Sequence, residues 1–181
     1  MIGNSIAGFL GTGVAVSATS YESIATAAGT GASATITFTS IPSTYKHLQI
    51  RAIARTASGT GAFLQYNSDT GSNYTRHYVE GNGTAASSGS GTSTTKIDYL
   101  QAVSNANING VNIVDILDYT NINKYKTTRI LQGYDANGTG NIGLGSGLWM
   151  NTSAISTITI TTSNGANFAT TTQFALYGIK G

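Results

Sequence analysis

The sequence predicts an all-β fold, a sandwich or barrel of about eight or nine strands, on three observations. Apolar and polar side chains alternate at period two along most of the chain. Helical spacing of apolar residues is nearly absent. β-Branched and aromatic residues fill the alternating runs, while Gly, Asn, Asp and Ser fill the gaps, where turns need them. A length of 181 residues supports one sizeable core and one domain.

The first twenty residues lack charge and clear alternation before Tyr21, so they are expected to form an extended arm, with the sandwich domain over residues 21–181. Ile2, Ile6, Phe9, Leu10, Val14 and Val16 give the arm apolar side chains to bury, and a neighbouring subunit is the expected place for them. The apolar run over residues 6–18 is broken by Gly8, Gly11 and Gly13. It falls short of the roughly 20 residues that a membrane-spanning helix needs. No basic residue precedes Lys46, so a secretory signal is not expected either.

Ile36 and Phe38 alternate with Thr35, Thr37 and Thr39, which gives a first strand one apolar and one hydroxyl face. Pro42, the only proline, has no amide hydrogen and a fixed φ, so pairing ends there and a corner begins. Leu48, Ile50, Ala52 and Ala54 then alternate with His47, Gln49 and Arg51. Further strands are expected over residues 74–80, 96–103, 111–119, 125–134, 156–161 and 173–180. Asn82-Gly83, Asn137-Gly138 and Asn164-Gly165 mark turns. Residues 81–95, almost purely Gly, Ala, Ser and Thr, read as a long flexible loop.

Composition narrows the function. Charged residues are 9% of the chain, whereas Ser and Thr supply 47 positions, so the surface is rich in hydroxyls. A net charge of +2 without a block of Lys or Arg makes no field that would hold a polyanion, and a nucleic-acid partner is not expected. With no cysteine there is no disulfide framework and no thiolate nucleophile or zinc ligand. The 40% hydrophobic content argues against disorder.

The candidate chemical motifs each lack a partner that their chemistry needs. His47 and His77 are the only imidazoles and could meet across a sheet, but no carboxylate is assigned to either. No Gly-x-Ser-x-Gly elbow marks an activated serine. Residues 138–143 spell the dinucleotide-binding glycine pattern, yet Leu144-Gly145-Ser146-Gly147 follows where a phosphate-binding helix should start. Asp135-Ala136-Asn137-Gly138 opens like a calcium loop, but its twelfth position is Ser146, not a bidentate Glu. The Asn-x-Ser/Thr sequons at Asn73, Asn82, Asn137 and Asn151 are as many as chance supplies in so Asn- and Thr-rich a chain. Asp98 lies on a strand, and Asp115 and Asp118 are expected to face opposite sides of a sheet, which does not suit paired-carboxylate hydrolysis. No catalytic residue, metal site or cofactor is expected, and no enzymatic role. Ten tyrosines, among them Tyr66, Tyr74, Tyr78, Tyr99, Tyr119, Tyr125 and Tyr134, suit either interfaces and carbohydrate stacking or a plain β-core.

Three stretches carry a resemblance: Tyr21-Glu22-Ser23-Ile24-Ala25; the run from Ile36 through Ile41-Pro42-Ser43-Thr44-Tyr45 to Arg51; and Phe174-Ala175-Leu176-Tyr177-Gly178-Ile179-Lys180. Together they resemble a family of small β-rich virion proteins of tailed bacteriophages, over most of residues 21–181. The resemblance implies a head decoration (cement) protein or a fibre or tail appendage, commonly a jelly-roll β-sandwich in trimers. It implies no catalytic residue. Low charge fits such a role, because flat patches without charges cost little desolvation when neighbours cover them.

The expectation is therefore a single jelly-roll-type β-sandwich with an N-terminal arm, acting as a capsid-decorating cement. Its partners would be the major capsid protein or another virion protein and, as a homotrimer, itself, in a virion assembled in the host cytoplasm. The alternative is a host-recognition module at a fibre or tail tip, with tyrosines and glycine-rich loops on surface glycan.

Overall fold

A computed structural model describes residues 20–181. The expected arm, Ser20 apart, lies outside the described residues, and with it Ile2, Ile6, Phe9, Leu10, Val14 and Val16. Among the described residues there is no helix, and twelve strands follow one another. They are β1 (Tyr21–Ala28), β2 (Thr35–Phe38), β3 (His47–Ala54), β4 (Ala62–Tyr66), β5 (Tyr74–Gly81) and β6 (Ala86–Thr94), then β7 (Ile97–Leu100), β8 (Gly110–Leu117), β9 (Lys126–Asp135), β10 (Gly140–Trp149), β11 (Ile158–Thr162) and β12 (Gln173–Ile179).

Side-chain alternation sets which face each strand buries. In β2, Ile36 and Phe38 are buried while Thr35 and Thr37 stay exposed. In β3, Leu48, Ile50, Ala52 and Ala54 point inward. The strands form two antiparallel sheets, one of eight in the order β1-β12-β3-β8-β9-β10-β5-β6 and one of four in the order β2-β11-β4-β7. Leu48, Ile50, Val114, Ile116, Phe174 and Leu176 of the large sheet share one buried cluster with Ile36, Phe38, Leu64, Ile158 and Ile160 of the small one. Burial of that shared cluster is the main force holding the layers together.

The corner at Pro42 forms as expected. The Ile41 amide still donates to Ser156 O at 3.0 Å, while the Pro42 carbonyl accepts a hydrogen bond from the Tyr119 hydroxyl instead of continuing a ladder. The three Asn-Gly pairs all lie at chain reversals, with Gly83, Gly138 and Gly165 at positive φ. At the β9–β10 hairpin, Asn137 (φ 52°) and Gly138 (φ 105°) form the two-residue loop, closed by the Ala136 amide on Thr139 O at 2.7 Å.

Two expectations need correction. Twelve strands replace eight or nine, because β1, β4, β6 and β10 show little or no alternation in the sequence. Residues 81–95 are not a long flexible loop: β6 pairs antiparallel with β5 over most of that stretch. A ladder is made by backbone groups and needs no apolar side chain, and small residues are what this edge requires. The Tyr78 ring lies over Gly89, where a Cβ would come within 2.6 Å of it.

Candidate contact surface

The residues singled out for chemistry are dispersed. His47 on β3 and His77 on β5 do not meet: β8, β9 and β10 lie between their strands, so about 19 Å of sheet separates them at four strand spacings. His47 accepts the Asp118 amide on Nδ1 at 2.9 Å. Asp118 sits just past β8 with φ 48°, held by Lys124 and by Lys46 at 3.0 Å. Hydrogen bonds from Lys124 and Lys46 hold its carboxyl down at about 2. Asp115 accepts Gln49 Nε2 at 2.7 Å on the outer side of β8, and Asp98 pairs with Arg76. Among the described residues no group of three or more His, Asp or Glu is placed to hold a metal.

The glycine motif and the calcium-like loop belong to one hairpin. Asp135 Oδ1 accepts the Asn137 amide at 2.9 Å, so the carboxylate is used within the turn. The glycines continue inward along β10, where Gly143 and Gly145 lie under Tyr99 and Gly147 lies under Ile97. Added Cβ atoms would come within 2.1 to 2.6 Å of those β7 side chains. These glycines let β7 approach the large sheet closely, and a strand, not a helix, follows them.

The tyrosines mostly face inward. Tyr66, Tyr74 and Tyr119 are fully buried, Tyr99 is nearly so, and Tyr78 stacks on Tyr99 with ring centroids 4.6 Å apart. Of the seven named from the sequence, Tyr125 is the one with an exposed ring.

What the sequence reading missed is the outer face of the large sheet, the side away from the small sheet. Strand register brings Ile53, Val111, Gly133, Ile142 and Gly81 side by side across β3, β8, β9, β10 and β5. The adjacent row is Arg51, Ile113, Leu131, Leu144 and Val79. The row beyond is polar: Gln49, Asp115, Arg129, Ser146 and His77. A stripe two residues wide, apolar except for Arg51 at one end, thus crosses five strands in contact with solvent. Ile142 is 64% exposed and Leu144 58%.

The stripe is not flat. Gly133 and Gly81 flank Ile142 in register, so the side chain stands as a ridge between two low points. Two open hollows adjoin it: one of about 680 Å³, walled by Val111, Ile113 and Leu131 and closed at its end by the β5–β6 and β9–β10 turns, and a smaller one of about 370 Å³ between Val79, Leu131 and Leu144. The sequence carried a signal for this face. Val111, Ile113 and Leu117 put apolar residues on the second parity of β8, and in β10 the apolar residues alternate with glycines rather than with polar side chains. No family model matches this chain, and no curated protein or solved structure is detectably similar to it.

Proposed function

We propose that the protein is a virion structural protein whose body is a jelly roll and which decorates an assembled phage head as a cement. The observation that carries this reading is the strand pairing. A jelly roll is a long antiparallel ribbon rolled into two sheets, so its first strand pairs with its last and the pairing proceeds inward. Here β1 pairs with β12, β2 with β11, β3 with β8 and β4 with β7. Rolling places β12 beside β3 in one sheet and β11 beside β4 in the other. The β5–β6 and β9–β10 segments are then insertions that extend the first sheet beyond β8. The pairing order supports the jelly-roll body that the resemblance to phage virion proteins implies.

The role follows from contact alone. A cement that binds only the assembled shell adds its binding free energy to that state and shifts the balance away from disassembly. An edge such as β6, nine residues with neither charge nor proline, offers unpaired backbone groups that a neighbouring virion protein can cover. The apolar arm supplies a second attachment to the major capsid protein. Immunogold labelling of virions with antibodies raised against residues 20–181 tests the reading: label over the head is expected, whereas label confined to the tail tip, or no label on particles, overturns it. Deleting residues 1–20 is expected to abolish binding to heads that lack the protein, read by co-sedimentation.

A further inference from the structure

We infer that the outer face of the eight-stranded sheet is a self-association surface, on which two copies of this chain pack about a two-fold axis. An isologous contact requires one patch to be its own complement, so that a projection and the recess it enters both lie on the same face. The stripe has this property: Ile142 projects from it and is itself one wall of the larger hollow, whose apolar floor is Val111, Ile113 and Leu131 and whose end is the pair of turns at Asn82 and Asn137. Facing a second copy through the middle of the stripe lets the ridge of each enter the hollow of the other.

Area and charge fit the same occupant. Ile142 and Leu144, with Ile53, Val79, Val111 and Leu131 each 41–51% exposed, leave on the order of 500 Å² of apolar surface in water. That is at the upper end of what a monomer's largest patch shows, and it is the apolar centre of an interface that buries roughly 800 Å² per partner. The row of Gln49, Asp115, Arg129, Ser146 and His77 falls at the rim, where interfaces are polar. Asp115 and Arg129 stand in register on neighbouring strands, so the rim presents both signs of charge rather than one against its copy. At a net charge of +2 per chain, repulsion between copies is weak. Two-fold contact through this face gives assemblies with an even number of chains, whether or not a three-fold contact forms elsewhere.

Sedimentation velocity of the full chain between about 1 and 100 μM, a range spanning common protein affinities, tests this. The expected result is an even multiple of the 18.6 kDa protomer that dissociates on dilution. Ile142→Asp should weaken the association about 30-fold or more, as loss of a central interface residue does. Its side chain is exposed, so the fold is not at stake. Because the chain has no cysteine, a variant with Ile142→Cys and Val111→Cys provides a second reading: mild oxidation should join position 142 of one copy to position 111 of the other. A monomer or trimer across the range, an even assembly indifferent to Ile142→Asp, or a disulfide confined to one chain overturns the inference. So does a monomer in which Ile142→Cys reacts slowly with a bulky maleimide until Phe9→Asp is added, because the face would then belong to residues 1–19.

Discussion

Lys126 is wholly buried, yet its ammonium is held by backbone carbonyl oxygens rather than by a carboxylate. Nζ donates to Lys124 O and Thr152 O, both at 2.9 Å, and to Asn121 O. One side chain thereby fastens the β8–β9 connection to the segment that follows β10 through three backbone carbonyls. Burial, and then the nearby Lys124 charge, push its pKa below the ordinary lysine value. Lys126→Met keeps the length of the stem and removes every donor, so it should cost about 3 kcal/mol, seen as a lower urea midpoint at unchanged slope. Asp118 gives the pH dependence. Its carboxyl titrates at about 2 when folded, because of Lys124 and Lys46, against about 3.9 in the unfolded chain. The folded value is depressed, so this contribution to stability is complete above pH 4 and is lost as the pH falls from about 4 to about 2. Thermal midpoints measured over that window should fall less steeply for Asp118→Asn, which removes the charge while tolerating the positive φ.

The strands that the sequence revealed and those it hid differ in what occupies their inner positions. β2, β3 and β11 bury every second residue, led by Ile, Leu and Phe with Ala52, Ala54 and Thr162 completing the rows, so periodicity alone located them. β10 inverts the signal: Gly143, Gly145 and Gly147 face inward while Ile142 and Leu144 face water. Its inner face is furnished by Tyr99 and Ile97 of β7, far away in sequence, and no local pattern announces a side chain borrowed from another strand. β6 is hidden for a related reason, since its place at an edge rests on backbone hydrogen bonds and on the room Gly89 leaves for Tyr78. The apolar stripe was present in β8 as a second set of apolar residues, but only register shows that it continues through Leu131, Leu144 and Val79. The glycine lane yields a contrast between two kinds of cost. Gly145→Ala places a methyl group 2.4 Å from the Tyr99 ring and should destabilise by about 2 kcal/mol through overpacking. Gly83→Ala meets nothing within 4 Å but must adopt φ +86°, a backbone penalty of roughly 1 kcal/mol. Chemical denaturation of the two variants should rank them in that order.

For the molecule as a whole, the four strands beyond β8 in the large sheet either fold with the two-layer core or apart from it. β5, β6, β9 and β10 extend the large sheet past β8, and an appendage joined only through the β8–β9 ladder could melt first. The aromatic cluster argues against that. Trp149 of β10 stacks near Tyr74 of β5 with centroids 6.4 Å apart and lies 5.7 Å from Tyr66, which belongs to β4 in the opposite sheet. The Tyr74 hydroxyl accepts the Tyr66 amide at 3.0 Å, and the Tyr66 hydroxyl bonds Thr128 of β9 at 2.6 Å. Asp69, in the turn between β4 and β5, accepts Trp149 Nε1 at 2.7 Å. Both the β5–β6 and the β9–β10 pairs are thus bolted to the small sheet through fully buried rings, and separating them would open apolar surface and strand polar groups at once. The chain should therefore unfold in one transition, with the emission of Trp149, its only tryptophan, shifting at the same denaturant concentration as the loss of far-UV β-signal. A fluorescence midpoint clearly below that of the backbone signal would mean that these four strands melt independently. Trp149→Phe removes ring volume and leaves Asp69 without its indole donor, so it should lower stability by about 2–3 kcal/mol, with the loss appearing in the backbone transition as a whole.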